Sequence, residues 1–277
     1  MSDDLVTIEI DGGIADVRLN RQEKYNALSP AMFRAIIGAG EKLLEAKDVR
    51  AVVLSGNGRG FCAGLDMESF AGMADPGEPD DEAGRASEVT EPLFERGDAP
   101  ENFAQRPALV WKQLPMPVIT AVHGVAYGGG AQIALGGDIR IAAPDAKISI
   151  KEIKWGLIPD MSITQTLRDI VPLDVAKELT FTGRILSGND AKELGLVTHV
   201  DANPLERAMS LAKEIADKSP DAIRAGKQLL ETAWRADART GLELEASLQG
   251  QLIGSPNQVE AITANFEKRP PSFNDPE

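Results

Sequence analysis

Apolar residues alternate at Val6, Ile8 and Ile10 and again at Ala15, Val17 and Leu19, with Asp11-Gly12-Gly13 between the two sets. Period-two patterning around a glycine turn predicts a β-hairpin. Next, Ser29-Pro30 offers an N-cap followed by proline at the first helical position. Met32, Phe33, Ile36, Ile37, Leu43 and Leu44 then recur at helical spacing. The runs Ala51-Val52-Val53-Leu54 and Val118-Ile119-Thr120-Ala121-Val122 are almost continuously apolar, as in strands buried on both faces. Shorter strands are expected at 139–143, 147–150 and 196–200, and helices near 162–171 and 174–181. From Pro204 onward the periodicity is helical throughout, over 205–218, 220–235, 241–252 and 256–266. The pattern therefore predicts an α/β body over 1–203 and an all-helical region over 204–277.

Charge adds one feature to this picture. The 277 residues carry −14 overall, and twelve acids against two bases between Asp66 and Glu101 account for −10 of it. That unpatterned, proline- and glycine-containing stretch reads as a mobile, solvated excursion about 66–101, able to serve as a lid beside a site. The sign of the charge disfavours nucleic acid as a partner. No apolar run is long enough to span a membrane, and the acidic start MSDDLVTIEI has no signal-peptide character. A single cysteine, Cys62, fits a reducing, cytoplasmic setting. With two histidines, His123 and His199, little material exists for a Cys/His metal site, so no metal is expected.

Both apolar strands run into glycine-rich loops, SGNGRGFCAGLDM and HGVAYGGGAQIAL. Neither matches a P-loop or GxGxxG. Glycine there can simply permit positive φ or close packing. Two such turns on neighbouring strands can instead aim two main-chain N–H groups at one oxygen, an oxyanion hole that needs no side chain. The motifs Phe61-Cys62-Ala63-Gly64-Leu65-Asp66 and Pro117 to Gly130, with Asn26-Ala27-Leu28 before them and Ala191 to Val197 after, resemble the crotonase superfamily of enoyl-CoA hydratases and isomerases over nearly the whole chain.

That resemblance implies a spiral of ββα units followed by helices that trimerise, as a homotrimer or a hexamer of two trimers, acting in acyl-CoA metabolism, that of fatty acids included. It implies that the amides of Leu65 and Gly129 hold a thioester oxygen, and that Ala63, Leu65 and Asp66 line the CoA path, mostly through backbone. Lys24 and Lys268, the latter beside Phe266, become candidate CoA contacts. Coenzyme A enters as part of the substrate, and no further cofactor is implied. The family's hydratases use two glutamates to hold one water. Here the first position is Gln132, whose amide cannot exchange a proton, and the second is Glu152. Asp160, eight residues on, gives an acid pair similar to that of the dienoyl-CoA isomerases, although those also carry an aspartate where this chain has Gln132.

Three readings follow. The first is a double-bond isomerase in which Glu152 and Asp160 move protons. The second is a hydratase using Glu152 with a water placed by Gln132. The third, of another class, is a non-catalytic CoA-binding paralogue. A serine hydrolase is disfavoured because neither histidine sits in a hydrolase motif, and His123 reads as structural. Asp160 also has a plain structural reading ahead of the next helix, where Ser162 and Gln165 resemble a capping box.

Overall fold

The computed structural model describes residues 4–66 and 98–276. The expected hairpin forms, with β1 (Val6–Asp11) and β2 (Ile14–Leu19) antiparallel across Gly12-Gly13, both at positive φ. Helix α1 (Pro30–Leu44) starts at Ser29, whose hydroxyl accepts the Met32 N–H at 3.3 Å. Strands β3 (Ala51–Gly56) and β4 (Val118–Val122) lie side by side and parallel. Between them comes α2 (Arg106–Gln113), which the apolar pattern did not disclose. After β4 come β5 (Val125–Tyr127), α3 (Gly129–Leu135), β6 (Ile139–Ala142) and β7 (Lys147–Ser149). Then follow α4 (Ile163–Thr166), α5 (Leu173–Thr182), α6 (Gly188–Glu193) and β8 (His199–Val200).

A six-stranded sheet has the order β1-β2-β3-β4-β6-β8, parallel from β2 on, and β5 pairs with β7 in a separate two-stranded sheet. Isolated bridges Leu28–Leu65, Cys62–Ala126 and Ile148–Leu186 extend that smaller sheet into a second stack of short strands. Successive segments thus give one strand to the large sheet and one to the stack, which is the spiral of ββα units implied by the resemblance.

Two expectations about this body change. The helix expected over 162–171 is the single turn α4, and Ser162 is no cap. It adopts φ 64°, and its hydroxyl donates to the Gln105 carbonyl at 3.0 Å. A capping box forms elsewhere, between Ser187 and Asp190. The expected excursion about 66–101 falls mostly outside the described residues, but its described ends are anchored. Asp66 is buried, and Glu101 is buried in an ion pair with Arg106.

The C-terminal helices are α7 (Pro204–Ala216), α8 (Pro220–Ala233), α9 (Ala238–Leu252) and α10 (Pro256–Glu267). α7 is not separate from the body. Its Ala208 and Ala212 pack on Ala51, Val53, Ile119, Ala121 and Ile141, covering the sheet face opposite the main core. The division expected at 203/204 therefore cuts through the packing. α9 buries only Leu248 and α10 only Asn257 and Ala264, while Leu230, Trp234, Leu242, Val259, Ile262 and Phe266 remain exposed.

Lys227 of α8 ties this helical region to the sheet. Its ammonium donates to Asp138 Oδ2 at 2.7 Å and to the Met116 carbonyl at 3.1 Å, and Asp138 Oδ2 also accepts the Val118 N–H at the start of β4. Burial raises the Asp138 carboxyl above its usual range and Lys227 opposes that rise. Lys227→Met leaves this carboxylate without its cation, which is expected to cost about 3 kcal/mol in urea unfolding. A loss below about 1 kcal/mol would mean that the pair does not hold α8 to the sheet.

Candidate active site

The two glycine loops meet. Leu28 bridges the first: its N–H donates to the Gly64 carbonyl at 2.8 Å and its carbonyl accepts the Asp66 N–H at 3.0 Å. Because a trans peptide sets its N–H opposite the preceding C=O, the Leu65 N–H points away from Leu28. On that other side lies the β5 segment, which pairs with Cys62 through the Cys62 N–H to Val125 O and the Tyr127 N–H to Cys62 O. Gly64 sits at φ +87°, and a Cβ there would come 2.6 Å from the Tyr127 carbonyl and 3.7 Å from Gly129 N. Only glycine suits both the backbone angle and this approach.

Gly129 opens α3, so its N–H is one of the orphan donors of a first helical turn. Neither the Leu65 amide nor the Gly129 amide has an acceptor among the described residues. The second loop does not pass directly from strand to helix as expected. β5 intervenes, and Gly128, at φ 52° and ψ −121°, makes the turn into α3.

Buried Asn26 holds the first loop. Its amide nitrogen donates to the carbonyls of Asn57, Gly60 and Phe61 at 2.9–3.0 Å, and its oxygen accepts the Arg21 N–H at 2.8 Å. Arg21 in turn pairs with the buried Asp66 carboxylate and donates to the Ala27 carbonyl. Nothing in the local pattern marks Arg21, since its partner lies 45 residues away. The Asp66 amide and carboxylate are both engaged within the chain, which leaves its carbonyl as the backbone group for the expected contact to CoA. The Ala63 N–H is likewise taken, by the Tyr25 carbonyl. Cys62 is buried against the Asn26 carbonyl, and burial pushes its thiol up to about 12, so it is unsuited to act as a nucleophile. His123 Nε2 contacts the Gly58 carbonyl at 2.9 Å, a loop-pinning position.

The carboxyl groups sit beside the second loop. Glu152 begins a 3-10 turn after β7, and a Cβ on Gly128 would stand 3.3 Å from its Oε1. Fully buried Gln132, on α3, donates to Glu152 Oε1 at 2.6 Å and accepts the Met161 N–H at 2.8 Å. Among the described residues, buried Glu152 Oε2 has no hydrogen-bond partner. Loss of hydration raises the Glu152 carboxyl above its usual range, the main-chain N–H of Glu152 and the Gln132 donor oppose this, and the nearby charge of Asp160 adds to it. Asp160 remains open to solvent at its edge, yet crowding by the surrounding protein raises its carboxyl too. Lys151 stacks its ammonium over the Tyr127 ring at 4.0 Å.

The structure therefore brings Leu65, Gly129, Gln132, Glu152 and Asp160 together. The two lysines lie at the surface. Lys24 is exposed in the turn Gln22–Lys24, and Lys268 is an exposed C-cap at the end of α10, next to exposed Phe266. A small apolar cavity is lined by Ala131 and Ala134 of α3 with Ala126 and Ile148.

Comparison with known proteins shows the family. A family model described as enoyl-CoA hydratase/isomerase matches residues 9–93 and 98–276. The chain is 33% identical over 272 residues to the human mitochondrial methylglutaconyl-CoA hydratase, covering 96% of this chain and 75% of that protein. It is 31% identical over 273 residues to the peroxisomal Delta(3,5)-Delta(2,4)-dienoyl-CoA isomerase of Arabidopsis thaliana, covering 98% and 96%. Among solved structures it is similar to an enoyl-CoA hydratase from Bacillus anthracis, with a TM-score of 0.82 at 30% identity and coverage of 97% and 98%.

Folding raises the Glu152 carboxyl, so between its usual value of 4.5 and the folded value the native state keeps a proton that the unfolded chain has released. Stability then declines as pH climbs through that window. Glu152→Gln is accordingly expected to raise the thermal midpoint by about 2 °C at pH 8, with the gain vanishing below pH ~4. A gain of equal size at both pH values would show that the carboxylate charge is not its source.

Proposed function

The chain belongs to the enoyl-CoA hydratase/isomerase family, and we propose that within it this protein shifts a double bond in an enoyl- or dienoyl-CoA. The observation that carries this reading is the Glu152 carboxylate, whose buried Oε2 makes no hydrogen bond among the described residues, beside the Leu65 and Gly129 amides, which have no acceptor among them. In the proposed reaction Glu152 Oε2 takes a proton from the acyl chain. The electron pair moves toward the thioester carbonyl, whose oxygen accepts from the Leu65 and Gly129 N–H groups, each worth roughly 3 kcal/mol of barrier. Asp160 gives a proton at, or relays one to, the distal carbon of the conjugated segment. Raised carboxyl groups suit this task, since each can hold or release a proton nearer neutrality than an ordinary acid.

Water addition is the competing reading, and the hydratase names among the relatives favour it. Against it stands Gln132, whose carbonyl and one amide hydrogen are already spent on Met161 and Glu152. It has no proton to exchange, and one remaining N–H is a slender hold on a water. The Ala63–Asp66 strand is the proposed CoA path. Lys24 and Lys268 are proposed to reach the nucleotide end of CoA. The exposed apolar faces of α9 and α10 support a homotrimer, or a hexamer of two.

The reading is tested by offering 2-enoyl-, 3-enoyl- and 3,5-dienoyl-CoA and weighing the products, because isomerisation conserves mass and hydration adds one water. Mass-neutral products are expected, with Asp160→Asn roughly a hundredfold slower on the dienoyl substrate. Rapid hydration of crotonyl-CoA would overturn the isomerase reading, and an unaltered rate in Asp160→Asn would remove Asp160 from the reaction.

A further inference from the structure

Gln132 occupies an unusual position for a glutamine: fully buried, on the first helix after the triple glycine, between a main-chain donor and a carboxylate. The Met161 N–H can only donate, so the oxygen of the Gln132 side chain must face it. That leaves no freedom to flip the amide, and the NH2 group is forced toward Glu152. Of the two Glu152 oxygens, Oε1 is therefore occupied by a group that can neither take nor give a proton. Oε2 is buried and makes no hydrogen bond among the described residues, although the main-chain N–H groups of Glu152 and Lys151 favour the charged form of the carboxylate. Met161 itself is held where Gly129 lacks a side chain, since a Cβ there would lie 2.6 Å from its sulfur. The clamp and the Gly129 amide thus share one piece of packing.

We propose that Gln132 is the positioning residue that selects the reacting oxygen of Glu152: anchored by the Met161 main chain, it ties down Oε1 and leaves Oε2 as the one atom that carries the substrate proton. The inference rests on the proton-transfer reading above and deepens it. A proton leaves carbon as its C–H bond breaks, an O–H bond forms at Oε2, and the freed pair passes into the enolate. Among the described residues no second acid contacts Oε1, so that oxygen offers the proton no exit. A glutamate at position 132 would change this arrangement. Two carboxylates at 2.6 Å cannot both ionise, so they would share a proton and split into a lower and a higher ionisation.

The test is the pH dependence of kcat/KM in wild type, Gln132→Met and Gln132→Glu, with the 13C carboxyl resonance of Glu152 titrated alongside. Gln132→Met removes the donor that favours ionised Glu152, so the acidic limb is expected to move up by about one pH unit. With it, kcat falls at least roughly tenfold while KM hardly changes. Gln132→Glu keeps an acceptor for the Met161 N–H and nearly the same shape, so it decides the matter if the methionine variant does not fold. It is expected to show two ionisations straddling that of the wild type. An unmoved limb in Gln132→Met, or one unshifted ionisation in Gln132→Glu, would overturn the proposal. The carboxyl titration needs no turnover. If the wild type processes no enoyl-CoA, the functional reading fails while the role of Gln132 is still judged from the resonance.

Discussion

Two main-chain amides without acceptors among the described residues, those of Leu65 and Gly129, are the constraint around which the rest of the molecule is arranged. An unpaired N–H in a packed region is costly, and proteins seldom leave one unless something else is meant to receive it. Here two stand on adjoining turns, each fixed from behind. The Leu28 bridge and the Asn26 amide grip the first turn, and the Ser149 carbonyl takes the Gly128 N–H in the second. The parallel pairing of β3 with β4 brings both turns to the same end of the sheet. Backbone donors held this rigidly need no reorganisation when charge develops on an oxygen between them.

The acid groups are organised by the same packing. Gly128 lacks a side chain where Glu152 approaches, and Gly129 lacks one where Met161 approaches. Met161 then fixes Gln132, and Gln132 fixes Glu152. Loss of hydration raises both the Glu152 and the Asp160 carboxyl groups, the latter while still open to solvent at its edge, and prepares them to exchange protons rather than merely carry charge. The cost falls on stability, in the usual exchange between a well-formed site and a well-satisfied core.

Much of this was legible in the letters. Alternation and glycine fixed the β1–β2 hairpin, unbroken apolar runs fixed β3 and β4, and prolines marked the starts of α7, α8 and α10. The motif around Gly64 and the triple glycine pointed to the amides. What escaped depends on contacts between distant residues or on main-chain atoms, which no local pattern encodes. Arg21 meets Asp66 across 45 residues. Met161 acts through its N–H and would do so with other side chains. Ser162 has a cap-like sequence, but the chain turns left-handed there and sends its hydroxyl to Gln105 instead. The acidic stretch reads as solvated along its whole length, yet Asp66 and Glu101 are each buried against a half-buried arginine. The boundary at 203/204 followed a change of periodicity, which says nothing about the alanine face of α7 lying on the sheet.

The most direct measurement is a crystal structure of the protein with a non-hydrolysable acyl-CoA thioester analogue. The account predicts that the carbonyl oxygen lies within about 3.1 Å of both Leu65 N and Gly129 N, with the adjacent carbon beside Glu152 Oε2. A carbonyl bound by one amide alone, or a ligand whose acyl group lies elsewhere in the fold, would contradict it.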